Sequence, residues 1–194
     1  MGRFSPILAL VAVLALSGCA TSRSVVTVAP AAAPANPADG VPVKVEKVED
    51  LRVFESAPSQ PDIPSLSDGD IANPATKARA IGRKRNSYGK ALGDVLLPEG
   101  QTVAELVRTS LISSLRESGY RVLSPSDPGY AQAAPLQIRI RKFWSWFQPG
   151  FWSIQTHNRS EVELTGGPAL LKDGLVIEAS VSESMQVVLE WMRR

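Results

Sequence analysis

The N-terminal segment places the strongest constraint on how this chain can fold. A basic residue, Arg3, precedes an apolar run over residues 7–16. A short charged region followed by about ten apolar residues is the layout of a secretory signal peptide. A membrane-spanning helix needs about 20 apolar residues, so this run is too short to cross a bilayer comfortably. The run closes on four residues: Leu16, Ser17, Gly18 and Cys19.

The end of this run resembles the lipobox of bacterial lipoproteins. A leucine, two small residues and a cysteine stand in lipobox order at positions 16–19. The resemblance implies cleavage after Gly18, attachment of diacylglycerol to the Cys19 sulfur, and an N-acyl chain on the new amino terminus. Ala20, which is not an aspartate, implies sorting to the outer membrane, with the protein facing the periplasm. The alternative is an ordinary cleaved signal peptide in which the cysteine occurs by chance.

Composition limits the chemistry available to the mature chain. Cleavage would take only Arg3 from the 21 basic residues and none of the 19 acidic ones, so no large net charge remains to attract nucleic acid. Cys19 is the single cysteine, which rules out an intramolecular disulfide. His157 is the single histidine, so the usual zinc site cannot be assembled. We expect no metal ion, and no cofactor other than the lipid on Cys19.

Residues 19–42 are predicted to form a lipidated tether, and residues 43–194 a single periplasmic domain. The tether is rich in Ala and Pro, and proline favours extended backbone. At about 3 Å per residue it would hold the domain roughly 50 Å from its anchor. Residues 43–46 alternate apolar and charged side chains, which indicates a strand. Several prolines then predict a long surface loop over residues 55–76.

The clearest helix signal covers residues 102–118. Thr102 and Glu105 form a capping box at its start, and an apolar stripe at helical spacing follows. Gly119 stands where a left-handed residue is needed, and Tyr120 completes a Schellman ending. A strand is predicted directly after it, and alternating side chains from position 136 predict another.

A second helix is predicted at the C-terminal end. Ser182 or Ser184 would cap it. The predicted fold class is therefore α+β, with a small, mostly antiparallel sheet, two helices packed on one face, and a disordered tether in front. The apolar residues at helical spacing are Met185, Val188, Leu189 and Met192.

Residues 80–90 are the most basic stretch of the chain. Six residues rather than four separate its glycines, and Ala91 follows Lys90 where a hydroxyl would be needed, so we exclude a nucleotide-binding loop. Two interpretations of a flexible cationic loop remain: a solvated turn, or a surface that contacts anionic lipid or an acidic partner. The cations proposed for such a surface are Arg83, Lys84 and Arg85.

An aromatic hairpin is predicted at residues 143–152, which hold three of the four tryptophans. Strand alternation directs Trp144 and Trp146 into the core. Alternation also places Trp144 in the same core as Ile138. It leaves Phe143 and Phe147 on the opposite side, where an apolar patch would indicate a partner or membrane surface. The alternative is that a helix or the long loop covers those two rings.

The pairing of this hairpin is also predicted. A two-residue turn would place apolar and charged side chains opposite each other, so we expect a three-residue or bulged connection near residues 148–151. The expected pairs are Leu136 with Leu164, Ile138 with Val162, and Trp146 with Ile154.

No set of residues with a catalytic arrangement is found. Strand alternation places His157 on the solvent face, without a partner, and no orienting carboxylate lies near it in the sequence. Glu161 and Glu163 share one face of a strand as surface charges would. The expected function is therefore a non-enzymatic binding or assembly adaptor, whose partner is an envelope protein, a glycan or an anionic lipid. A lipid or lipopolysaccharide carrier and an unrecognised envelope hydrolase remain alternatives.

Positions 16–19, together with the helix and strands over residues 103–140, resemble the YajG-like group of bacterial lipoproteins. The resemblance covers roughly half of the chain, and the longer Pro/Ala tether and the aromatic hairpin depart from it. It implies an outer-membrane lipoprotein without an assigned reaction, so no functional residue is transferred from it. The helix-on-sheet arrangement is also similar to that of small lipoproteins that assist lipopolysaccharide export.

Overall fold

One long strand organises the sheet. A computed structural model describes residues 22–149, 153–167, 171 and 173–186. Strand β6 (Ala134–Pro149) pairs along one edge with two parallel strands, β2 (Pro42–Asp50) beside its first half and β3 (Ala80–Arg85) beside its second half. Its other edge pairs antiparallel with β7 (Ser153–Gly166). Strand β6 therefore joins all parts of the sheet.

Four shorter or outer strands complete an eight-stranded mixed sheet in the described part of the chain. The prediction of a mostly antiparallel sheet is wrong, because four of the seven strand pairs are parallel. Alternation of side chains shows that a segment is a strand, but it does not show which strand lies beside it. Parallel pairing requires a crossover connection, and the chain between β2 and β6 provides it. Of the remaining strands, β4 (Ala91–Leu96) pairs with β3, and β1 (Ser24–Val25) pairs with the other edge of β4. β5 (Arg121–Val122) pairs with β2, and β8 (Leu175–Gln186) pairs with β7.

The long helix forms as predicted. Helix α2 (Val103–Glu117) begins after Thr102, whose side chain accepts a hydrogen bond from the Glu105 amide, 3.2 Å away. It ends in a Schellman motif: Gly119 has a φ of 88°, and the Tyr120 amide donates to the Leu115 carbonyl at 2.9 Å. The apolar stripe of α2 packs on one cluster of buried side chains, the first core: Val45, Ile81, Leu97, Val103, Val107, Ile138 and Ile140.

A β-bulge in β6 separates the first core from a second one. The pairing of β6 with β7 shifts by one residue between Ile140 and Lys142. A bulge reverses the alternation of side chains, and accordingly Phe143 packs on the first core whereas Trp144 does not. The prediction that Trp144 shares a core with Ile138 is therefore wrong. The second core consists of Leu66, Ala80, Leu96, Trp144 and Trp146.

The predicted hairpin pairing is wrong by two residues in the part of β6 that precedes the bulge. Ile138 lies opposite Leu164 and not Val162, although apolar residues still face each other as expected. In the part of β6 that follows the bulge, Trp146 lies opposite His157, and Pro149 lies opposite Ile154. The bulge is located at Arg141 rather than near the turn, and residues 150–152 are outside the described residues.

The predicted C-terminal helix is wrong over its described part. Ser182, Ser184 and Met185 belong to β8, which pairs residue by residue with β7. The β-branched residues of this segment suit a strand, and a neighbouring strand provides hydrogen bonds that periodicity alone cannot reveal. The second helix is instead α1 (Pro74–Arg79), at the end of the predicted loop. Positions 188, 189 and 192 are outside the described residues.

The predicted tether lies against the domain from residue 22 onwards, so its described part is not a disordered spacer. The Val26 amide donates to the Leu96 carbonyl at 2.9 Å, beside the β1–β4 pair. Asn36 exchanges two hydrogen bonds of 2.8 Å with the backbone of Val122. Val28 packs on the first core. The chain before β2 is therefore held to the domain at three separate places.

Candidate functional site

Arg83 and Arg85 are buried, so the prediction of a flexible cationic loop is wrong. They lie on β3, which pairs with both β4 and β6. Only 8% of Arg83 and 4% of Arg85 is exposed. Lys84, between them, is half-buried, and its Nζ donates to the Ser22 carbonyl at 3.0 Å. The basic cluster is therefore part of the sheet interior and not a solvated patch.

Asp94 balances the charge of Arg83. This carboxylate, on β4, is 1% exposed, and its Oδ1 lies 3.7 Å from Arg83 Nε. It also accepts hydrogen bonds from the Ser67 amide at 3.2 Å and from Arg23 Nη2 at 3.2 Å. Partial burial alone would lower the pKa of Arg23, but its hydrogen bonds to Asp94 and Asp70 outweigh burial and raise it.

Arg85 has no such partner. Its Nη1 donates to the Gly89 carbonyl at 2.9 Å, but its Nε and Nη2 are buried without a hydrogen-bond partner. No carboxylate of the described residues forms an ion pair with it. Burial lowers the pKa of Arg85, and the charge of Arg83 lowers it further. The guanidinium is therefore a buried cation with vacant donors, which is costly to a protein unless a ligand pairs with it.

A cavity of about 530 Å³ lies in front of the two arginines. One wall is formed by β3 and the turn that joins it to β4, where Gly89 and Lys90 lie. The other wall is the loop over residues 56–68, which contributes serine hydroxyls and Asp68. The Ser65 hydroxyl is buried and has no hydrogen-bond partner. The cavity therefore combines three cations, three serines and one carboxylate.

The two phenylalanines of the predicted binding surface do not lie together in an exposed patch. Phe143 is partly buried and packs on the first core, as the alternative interpretation allowed, whereas Phe147 is half-buried. His157 was predicted to be solvent-facing and isolated, but its ring stacks on Trp146 with centroids 5.0 Å apart. Its Nδ1 lies 2.8 Å from the Ser182 hydroxyl.

Among the described residues, the exposed surface with the most apolar side chains is on β8, whose last part, from Ser182, was predicted to be helical. Every side chain described on β8 is exposed, and Met185 is 70% exposed. The pairing of Ile177 with Val162 and of Val162 with Ile140 carries the apolar face of the first core outwards across β7 to β8. The signal in the sequence that could have identified β8 as a strand is the alternation of apolar and polar side chains along it. The exposed apolar residues are Leu175, Val176, Ile177, Val181 and Met185.

The lipobox is outside the described residues. Leu16, Ser17, Gly18 and Cys19 precede residue 22, so lipidation and the membrane assignment stay predictions. Across the described residues, no helix has the length and apolar character needed to cross a bilayer. The same residues contain no group of three or more His, Cys, Asp or Glu side chains placed to hold a metal ion.

Comparison with known proteins provides little further information. No protein-family model matches the chain. No curated protein matches it either. One solved structure, described as the crystal structure of an uncharacterized protein, is 12% identical and covers 79% of this chain and 83% of its own. Its TM-score is 0.31, which is too low to carry an argument about fold or function.

Proposed function

We propose that this protein is a lipid-anchored, non-enzymatic adaptor of the periplasmic face of the outer membrane, and that β8 is its docking strand. The observation that carries the proposal is the free edge of β8. Among the described residues, β8 pairs only with β7, so one row of its backbone amides and carbonyls has no strand partner. Such a row is a template for an additional strand from another chain.

The edge of β8 lacks three of the features that protect edge strands. Proteins usually shorten an edge strand, interrupt it with proline, or place lysines on it. β8 is 12 residues long and contains neither proline nor lysine. Its apolar residues are exposed beside the open edge, so an added strand would gain both hydrogen bonds and apolar contacts. These properties support a docking role.

We propose that the occupant is an extended, basic segment of an envelope protein. The charged residues of β8 are Glu178 and Glu183, and the strand carries no cation. A second copy of the chain fits less well. In the antiparallel register that would pair both strands over their whole length, Glu178 of one copy lies opposite Glu183 of the other, and like charges in that position are destabilising.

Crosslinking within intact cells tests this proposal. A photoreactive amino acid replaces Val181 on β8, and a matched control replaces Glu117, which is exposed on α2. We expect a crosslink from position 181 that maps to a segment rich in Lys or Arg. The crosslink should disappear when Glu178→Lys and Glu183→Lys are added, while circular dichroism shows an unchanged fold.

Two results would contradict the docking proposal. A product formed only with a second copy of this chain would replace the adaptor with a homodimer. A yield from position 181 no higher than that from position 117 would show that β8 has no partner in the cell.

Lipid attachment is tested separately. The lipobox resemblance predicts that cells fed a palmitate analogue label the protein, and that Cys19→Ala abolishes the label and releases the protein from the membrane fraction. Ser22→Ala, close by, is the control and should keep full labelling. Three acyl chains bind a bilayer permanently, at about 0.8 kcal/mol per buried methylene. Label retained by Cys19→Ala would disprove the anchor.

A further inference from the structure

We propose that the cavity in front of Arg83 and Arg85 is a binding site for a phosphate group. This site is distinct from the β8 edge, and it assigns a ligand to a part of the domain that the adaptor proposal does not use. The cavity has a volume of about 530 Å³, which is ample for a phosphate that carries an organic substituent.

The vacant donors of Arg85 identify the chemistry of the ligand. Nε and Nη2 form one side of the guanidinium plane, and both are buried without a partner. Nη1, on the other side, already donates to the Gly89 carbonyl. Two parallel N–H groups are the arrangement that binds two oxygens of one oxyanion. Gly89 therefore holds the guanidinium with its bidentate side vacant.

The charges around Arg85 also favour an anion. Arg83 is paired with Asp94, whose second oxygen accepts from Arg23, so that carboxylate is shared between two arginines. Arg85 and Lys90 both line the cavity, where Asp68 is the one acidic lining residue. A cavity with this excess of positive charge binds an anion more strongly than a neutral group. A bound anion would also relieve the electrostatic repulsion between Arg83 and Arg85.

The hydroxyls of the cavity favour phosphate over a carboxylate. Ser65 Oγ is buried without a partner, and Ser56 and Ser67 line the same wall. They lie on the loop, whereas the arginines lie on the strand, so the donors reach the cavity from two sides. A planar carboxylate presents two oxygens, whereas a phosphate presents three or more and can use both walls.

Titration calorimetry tests the site with two probes. The mature protein, dissolved in a non-ionic detergent, is titrated with inorganic phosphate and with the soluble short-chain lipid dihexanoyl phosphatidylglycerol. We expect binding of at least one probe. Arg85→Gln should weaken that binding at least tenfold, because it removes the charge and the bidentate donor. Arg141→Gln, a change of an exposed arginine on β6, is the control and should leave the affinity unchanged.

The two probes separate the sources of the phosphate group. Binding of inorganic phosphate alone assigns a soluble phosphate ligand, and binding of the lipid alone assigns a headgroup. If Arg85→Gln does not fold, Lys90→Gln replaces it, since this residue lies at the turn and lines the same cavity. The proposal is wrong if the folded protein binds neither probe, or if the cavity variants bind as tightly as the unchanged protein.

Discussion

Replacing Arg52 with alanine is expected to destabilise the protein by about 3–5 kcal/mol, the range for breaking a buried ion pair. The Arg52 side chain is fully buried, and it binds both carboxylate oxygens of Asp50, at 2.8 and 2.7 Å. It also donates to the carbonyls of Lys77 at 2.8 Å, Ala80 at 2.5 Å and Phe143 at 3.2 Å. Alanine would leave these acceptors without their donor in the interior.

Urea denaturation, followed by circular dichroism, measures this loss. Arg141→Ala is the matched control, because Arg141 also binds both oxygens of a carboxylate, Glu163, but is well exposed. Exposed pairs contribute little to stability, so the midpoint of this control should stay close to that of the unchanged protein. Equal midpoints for the two variants would show that Arg52 does not hold β2, α1 and β6 together.

Replacing Trp144 with alanine is expected to destabilise the protein by about 3–5 kcal/mol, as large core truncations do. Trp144 is 1% exposed and lies in the second core with Leu66 and Trp146. Its ring also meets Phe54 edge to face, with centroids 5.9 Å apart. Because Leu66 and Phe54 belong to the segment between β2 and α1, this segment should loosen first.

Hydrogen exchange and denaturation together test the role of Trp144. In Trp144→Ala, amides near Leu66 should exchange faster, while those of α2 change less. Trp144→Phe should lower the free energy of unfolding much less than Trp144→Ala does, because the indole Nε1 has no hydrogen-bond partner to lose. Tyr88→Ala is the control, because Tyr88 is 93% exposed. Uniform acceleration across both cores would argue against a separate second core.

Signals carried by neighbouring residues predicted the structure well. The start and end of α2 follow from Thr102 and Gly119, because a cap is made by residues within one turn of each other. The strand at Arg121–Val122 and the strand that contains Ile138 and Ile140 were also found, from alternation and from the turn residues around them. These features need no knowledge of distant partners.

Features that depend on distant partners were not predictable. Arg83 and Arg85 look like surface residues until β4 places Asp94 beside one of them and the loop covers both. The extra residue at Arg141 directs Trp144 to a second core, and no local pattern shows a bulge at that position. The cavity in front of Arg85 likewise exists only where the loop and the strand meet.

The attachment of the N-terminal segment changes where the protein can act. Cys19 is three residues before Ser22, whose carbonyl is bound by Lys84 of β3, so a lipid on Cys19 would lie within about 10 Å of Ser22. The domain would then rest on the bilayer instead of extending roughly 50 Å from it, as an extended tether of about 3 Å per residue would allow. β1 and β8 are opposite edges of the sheet, separated by five strand spacings, or about 24 Å. If Cys19 carries the lipid, a protein that pairs with β8 would come within a few nanometres of the lipid headgroups, and such a position favours partners that are themselves membrane-bound.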